Sequence, residues 1–397
     1  MTRSFLFAAA IDNGCPVLSD GQRVDQMDLS GHYARWEEDF ALARGLGVTA
    51  LRYGPAYHRV HVAPGEYDWD TSDEPMRRLH ALGVDVIADL CHHGLPPWLS
   101  GLQDPAFPVL FAEYARAFAR RYPWVRYFSP VHELFVTARR STLEGRWNDG
   151  QATDAAFVQA VRNLCMAHEL AVEAILEERS DATIVQGEAA EHFHAAGVGA
   201  KRAAERWNAL RLLPLDLTLG HEPAPGMARL LSDHGVSAGD LAFFRSRRAA
   251  DSRWLGLTYR PAHEHRVASS GRLTMSRRGL GFRRIAAEYH QRYRLPIVHF
   301  GTSRESRFAA TWLRGQWEDV LALRRAGVPV LGFTWDALTD RSPATAAPSG
   351  GPAEPHSIGL LDLDRRPRSV GDAYRDLIAR WGRVLDGPDE MQAEATA

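Results

Sequence analysis

The chain has 397 residues, 45% of them hydrophobic, and a formal net charge of −2. That apolar content supports a large buried core, and so small a charge excludes a surface built to hold nucleic acid or an anionic membrane. Lys201 is the single lysine among the basic residues. With the richness in alanine, this arginine bias points to a GC-rich genome of the actinomycete kind.

The first element, Phe5–Ile11, is apolar but too short for a secretory leader, so it reads as a buried strand. Further short apolar runs follow at Ala50–Gly54, Val84–Leu90, Tyr127–Glu133, Thr183–Glu188, Trp254–Tyr259, Pro296–Gly301 and Val328–Trp335. Such brief, nearly continuous runs suit parallel strands covered on both faces. Helical patterns lie between them at Pro108–Arg121, Ala155–Glu177, Arg283–Arg292 and Glu305–Ala326, the last stopped by Gly327 before the eighth run. Strands alternating with helices in this way predict a single (β/α)8 TIM barrel. Residues 202–250 read as helical decoration between strands five and six. Ser342–Pro355, rich in Pro, Gly, Ser and Ala, reads as an active-site loop after strand eight. The barrel is expected to span 1–385, with 386–397 a disordered tail.

Cys15, Cys91 and Cys165 are far apart and odd in number, which argues against a disulfide framework or a metal finger. No apolar stretch of about 18 residues exists, so no membrane span is expected, and a cytoplasmic location follows. Arg365, Arg366 and Arg368 read as a solvated surface turn.

Active sites of such barrels lie at the C-terminal strand ends. The ends here carry Asp12 and Asn13, Arg52 and Tyr53, His92 and His93, His132 and Glu133, Glu188, Tyr259, His299 with Phe300 and Gly301, and Trp335 with Asp336. Trp98, Trp147, Tyr259 and Trp335 are rim aromatics suited to stacking on a flat ligand. Histidines 92, 93, 132 and 299, with Glu133 and Glu188, raise the question of a metal centre. Adjacent residues of an extended segment do not face one way, so His92 and His93 argue against it. No metal and no cofactor is expected.

Several of these segments resemble family 1 glycoside hydrolases. Ala50-Leu51-Arg52-Tyr53 resembles the family's "FRFS", and Leu90 to Leu99 resembles "LHHWDLPQWL". Tyr127 to Leu134 resembles "WITFNEP", and Leu257-Thr258-Tyr259 resembles "L-N-Y". Gly332 to Leu338 resembles "GYFVWSLLDN", and His356 to Asp364 resembles "RFGLVYVD". The resemblance implies that Glu133 is the acid/base and that Arg52 and His92 line the sugar site, with His93 in place of a tryptophan. It also shows two departures. His132 stands where the family has asparagine, and the seventh strand lacks the carboxylate of "PIYITENG". Three registers put that nucleophile at Gly301, His299 or Ile297, and none supplies an acid; we place the position without a carboxylate at Gly301. Retaining glycosidases need two carboxyls, so the expected activity is atypical. The resemblance implies transfer, elimination, cyclisation or atypical hydrolysis of a glycoside or sugar-like metabolite in specialised metabolism. A catalytically silent carbohydrate-binding barrel is the alternative, and a histidine-ligated metal hydrolase a third. The expected catalytic groups are Glu133, His132 and His299. The expected substrate contacts are Arg52, His92, His93, Glu188, Tyr259, Trp335, Asp336 and Asp12. In the family the arginine matched by Arg52 sits beside the nucleophile, so a substrate anion, Glu188 or Asp336 is expected to take that partner's place.

Overall fold

The computed structural model describes residues 5–247, 252–276, 279–342 and 356–385. The expected loop 342–355 (apart from Ser342) and the expected tail 386–397 lie outside them. Eight parallel strands close into a barrel: β1 (Leu6–Ala10), β2 (Ala50–Tyr53), β3 (Asp85–Cys91), β4 (Tyr127–Val131), β5 (Thr183–Ala189), β6 (Arg253–Thr258), β7 (Ile297–Thr302) and β8 (Val330–Asp336), with β8 hydrogen-bonded to β1. All eight expected strands form, with ends shifted by a residue or two. This is the (β/α)8 fold that the alternating pattern predicts. The helices Phe107–Arg121, Asp154–Glu178, Phe282–Tyr293 and Ser306–Arg325 stand where the 3.6-residue pattern puts them. Helices Lys201–Thr218, Pro225–Asp233 and Ala238–Arg245 fill the segment between β5 and β6. Among the described residues, no helix is long and apolar enough to cross a membrane. The three cysteines are free and buried.

Alternation along the strands divides the core in two. Outward side chains such as Phe7, Leu51, Phe128, Leu257 and Phe333 pack against the helices. Inward ones, Leu6, Ala8, Ala50, Ile87, Tyr127, Val185, Trp254, Val298 and Phe300, fill the lumen. Phe300 needs unusual room. A Cβ on Gly187 of β5 would come within 2.6 Å of its ring, and one on Gly256 of β6 within 2.8 Å. These glycines let the ring lie across the lumen and form its floor below the mouth. Burial of a phenylalanine of this kind stabilises the fold by about 2 kcal/mol.

The register of β7 slips against both neighbours. His299 pairs with Leu257 but Gly301 with Thr258, and His299 pairs with Phe333 but Thr302 with Trp335. The bulge directs Phe300 and Gly301 to the same, inner side, as bulges near barrel rims do. The basic turn differs from its expected solvated form. Arg365 is buried and donates to Asp39 at 2.8 and 3.1 Å and to the Ser30 carbonyl at 2.9 Å. An acid within reach, Asp39, makes the buried cation tolerable.

Candidate active site

Residues at the strand ends build the mouth above Phe300. Arg52 points inward from β2, fully buried, with its guanidinium 5.1 Å from the centre of the Phe300 ring. Its Nη1 donates to Asp89 Oδ2 at 3.2 Å, and its Nη2 lies 3.3 Å from Asp336 Oδ1. Asp89, inward on β3, accepts from Nδ1 of His132 at 2.9 Å and lies 3.2 Å from Nδ1 of His92. Asn13 bridges the same groups, donating to the Asp89 carbonyl at 2.8 Å and meeting His92 Nδ1 at 2.9 Å. Asp12 pairs with Arg341 at 2.8 Å, and Asp336 pairs with Arg260.

Glu133 lies two residues past the end of β4 and is 7% exposed. Its amide donates to the Gly187 carbonyl at 2.9 Å, and it caps the helix Leu134–Thr142 with φ 45°. His93 also has a positive φ, 65°. Left-handed backbone is costly for residues with a Cβ and gathers at functional sites. Glu133 Oε1 stands 3.7 Å from His132 Nε2.

The charges are set by competition between burial and partners. Burial raises the Asp336 carboxyl, but Arg260, Arg52 and Arg341 outweigh it and hold it below its usual range. Burial likewise opposes ionisation of Asp89, and His132 and His92 beside it outweigh burial and hold it well below. Asp12 is depressed in spite of burial by Arg341, His92 and the Gly14 amide. Burial lowers His132, more than Asp89 raises it, so this ring stays neutral with Nδ1–H toward Asp89. His93 is held well below its usual value by burial and then by His92 and His132.

Arg52, His92, His93, His132, Glu133, Asp12 and Asp336 therefore come together at one end of the barrel. Of the acids expected to partner Arg52, Asp336 does so. A Cβ on Gly301 would lie 3.3 Å from Asp336 Cβ and 3.4 Å from its Oδ2. Of the three registers, Ile297 and His299 face the helices, and Gly301 faces the lumen.

One expected catalytic group, His299, and three expected substrate contacts are corrected. His299 points away from the lumen, stacked 3.8 Å from Phe282 with Nε2 3.1 Å from Gln316. Burial lowers it to about 3, so it is neutral. The bulge begins after it, so its side chain keeps the outward phase of β7. Trp335 also faces outward, its Nε1 donating to the Ile358 carbonyl at 2.9 Å. Tyr259 faces outward as well, stacked on Trp312 and donating to Glu264 at 2.6 Å. Glu188 lies behind the wall, its Oε2 3.5 Å from the Phe135 amide. Burial and then Glu133 raise it well above the carboxylate range, so it is protonated. One residue of alternation separates each of these from the lumen. The argument that His92 and His93 diverge is corrected too. Each places a ring nitrogen within 4.8 Å of the other and of His132, because the positive φ of His93 breaks the extended phase. Of the rim aromatics, Trp147 lies beside His93 at 4.8 Å, whereas Trp98 is turned to the His61 carbonyl.

Asp89, Arg260 and Arg341 belong to the mouth but escaped sequence reasoning, and Asn13, placed at the end of strand one, was given no role there. Asp89 had a signal: an acid inside an otherwise apolar buried run must have a partner. Arg260 stands one residue past the expected end of strand six. Arg341 lies five residues past β8 and has no such signal.

Comparison with known proteins points one way. The sequence profile described as Glycosyl hydrolase family 1 matches residues 20–207. The chain is 29% identical over 152 residues to a beta-glucosidase of Agrobacterium sp., covering 36% of this chain and 33% of the relative. It is 28% identical over 161 residues to beta-glucosidase A of Thermotoga maritima, covering 38% and 36%. The chain thus spans about a third of the length of these curated relatives. Among solved structures, the fold matches a Thermotoga maritima beta-glucosidase in complex with noeuromycin, with a TM-score of 0.79, 18% identity and coverage of 96% of this chain and 98% of that one. The same protein in complex with deoxynojirimycin matches with a TM-score of 0.78, 18% identity and coverage of 94% and 97%. The profile's match to family 1 is confined to residues 20–207.

Proposed function

We propose that this chain, a relative of the family 1 glycosyl hydrolases, acts at its barrel mouth on a glycoside or sugar-like metabolite, with Glu133 as general acid and base. The relatives named beta-glucosidases and the sugar-mimicking ligands of the matched structures support the substrate class. The matched region 20–207 contains Glu133, Arg52 and His92. General acid–base assistance contributes roughly 10²–10⁴-fold, so one such carboxyl makes a real catalyst.

One observation carries the atypical chemistry. β7 offers His299, Phe300, Gly301 and Thr302, and the room beside Gly301 holds the carboxylate of Asp336 from β8, paired with Arg52 and Arg260. Two guanidiniums on one carboxylate stabilise its charge and weaken it as an attacking group. Asp336 then serves as a fixed negative charge near the reacting carbon rather than as the partner in a covalent glycosyl-enzyme. This favours transfer, elimination, cyclisation or atypical hydrolysis, in specialised metabolism inside the cell. His132, His92, His93 and Asp12 contact the substrate.

A second reading, a silent carbohydrate-binding barrel, is favoured by the pairing of both Asp12 and Asp336 with arginines. Turnover separates the two. On the enzyme reading, activated glycosides are consumed, Glu133→Gln abolishes this while sugar binding persists, and a 2-fluoro glycoside leaves no covalent label. No turnover of any glycoside with intact sugar binding establishes the silent binder. Labelling would restore an ordinary retaining mechanism.

A further inference from the structure

Beside Glu133 stand three histidines that can do more than contact a substrate. His92, His93 and His132 each bring one ring nitrogen within 4.8 Å of the others. The His92 and His132 rings are stacked at 3.9 Å, and His93 meets them edge-on at 4.6 and 5.5 Å.

Each ring is anchored through Nδ1. His132 Nδ1 lies 2.9 Å from Asp89 Oδ2. His92 Nδ1 lies 2.9 Å from Asn13 Oδ1 and 3.2 Å from Asp89 Oδ2. His93 Nδ1 lies 2.8 Å from Thr137 Oγ1. A ring whose Nδ1–H donates to a carboxylate, amide or hydroxyl oxygen carries its lone pair on Nε2. Metal-ligating imidazoles have this same backing, which fixes the tautomer and raises basicity. It comes here from three separate elements, and Asp89 backs two of the rings.

The geometry points to a binding site for a divalent transition metal of the zinc class, held by Nε2 of His92, His93 and His132. The fourth position opens toward Glu133 Oε1, 3.7 Å from His132 Nε2. Three histidines with an open position are an arrangement that zinc accepts, and imidazole donors suit zinc, cobalt and nickel over magnesium or calcium. Nitrogens around a tetrahedral zinc lie about 3.4 Å apart, given bonds of about 2.1 Å, so loading requires the rings to approach and the stacked His92 and His132 rings to turn until their lone pairs converge. Arg52 is the opposing charge, with Nη1 3.2 Å from the His132 ring nitrogens. Its own partners Asp89 and Asp336 offset it. The inference rests on the reading above in one respect only, that Glu133 acts on whatever oxygen occupies the open position.

The test uses the full chain stripped with chelator and then titrated with Zn²⁺ and with Co²⁺. We expect one equivalent of either metal per chain by elemental analysis after desalting, and a Co²⁺ visible spectrum of four- or five-coordinate type that Zn²⁺ displaces. His93→Ala is expected to weaken Zn²⁺ binding at least 100-fold, and Glu133→Gln to change it less than 10-fold. Thermal melts report whether His93→Ala is folded. If it is not, His93→Gln, which keeps a polar side chain near Thr137, replaces it. No stoichiometric binding at 100 µM metal overturns the inference, as does full binding in folded His93→Ala or His93→Gln. If metal binds but no glycoside or sugar does, the proposed function falls and the metal site stands. If the stripped chain turns over a glycoside through Glu133 and binds no metal, the metal site alone falls.

Discussion

Replacing Arg52 with methionine removes the guanidinium that holds Asp89 and Asp336 together, while keeping a side chain long enough to cover Phe300. Both carboxylates are buried, Asp336 only 2% exposed. Breaking a buried pair costs about 3–5 kcal/mol. Asp89 keeps His132 and His92, and Asp336 keeps Arg260, so the lower end, about 3 kcal/mol, applies. Unfolding entropy of about 2.1 cal/mol/K per residue, taken over 397 residues, gives about 0.8 kcal/mol/K and so a Tm lower by about 4 °C. The pH dependence carries a sign. In the native chain both acids have depressed values, so their stabilisation is present above the unfolded carboxylate pKa and is lost only as pH falls through their lowered folded values. Without Arg52, burial has less opposition and both folded values rise. The deficit of Arg52→Met should therefore be largest at neutral pH and shrink as pH falls toward 5, and Asp336→Asn added to it should recover part of the loss. Melting curves between pH 7.5 and 5 measure this. A deficit under about 1 °C, or one that grows on acidification, would show that Arg52 is not the counter-charge.

Glu133→Gln should lower turnover of the responsive glycoside by about 10²–10⁴-fold with sugar affinity retained in calorimetry; a loss of both together would make Glu133 a binding group. His299→Leu should leave turnover within about twofold, because the ring lies among Phe282, Phe333 and Gln316; a tenfold fall in a folded variant would return it to the site. Gly187→Ala should cost about 1–3 kcal/mol by overpacking, since its Cβ would press within 2.6 Å of Phe300; an unchanged Tm would mean that the ring is not fixed there. Gly301→Glu should not become labelled by a 2-fluoro glycoside, whereas Gly301→Glu with Asp336→Ser should label to a greater extent. Equal labelling of both would show that Asp336 does not contest the space.

The barrel was legible because its signal repeats. Eight apolar runs separated by helical periods leave few other topologies. The site was legible where a motif fixed the phase, as at Arg52 and Glu133. It was misread where a strand end was treated as if every polar residue on it faced inward. Glu188, Tyr259, His299 and Trp335 each sit one residue out of phase with the lumen, and sequence at a strand end does not reveal phase once a bulge intervenes. The bulge at Phe300–Gly301 has its cause in distant residues, Gly187 and Gly256, whose missing side chains leave room for the ring. The meeting of His92 with His93 was hidden for a similar reason, since a positive φ at a non-glycine residue has no mark in the sequence.

In the mouth, the space beside Gly301 of β7 is taken by the carboxylate that β8 supplies, Asp336. The region that the family profile matches, residues 20–207, contains Arg52 and Glu133 and ends before Gly301 and Asp336. Phe300 occupies the floor, and Arg52 lies over it. A side chain at 301 would begin 3.4 Å from Asp336 Oδ2. A Cβ there is within van der Waals contact of that carboxylate, so a second acid at 301 would share the Arg52 guanidinium that Asp336 and Asp89 already use. Glycine at 301 leaves Asp336 its room. On the proposed reading, Asp336 on β8 keeps Arg52 paired, is engaged by a second guanidinium, Arg260, and meets the substrate from another direction than an acid at 301 would. That change of direction, more than a change in the amount of charge, is what separates the chemistry proposed here from cleavage through a covalent glycosyl-enzyme.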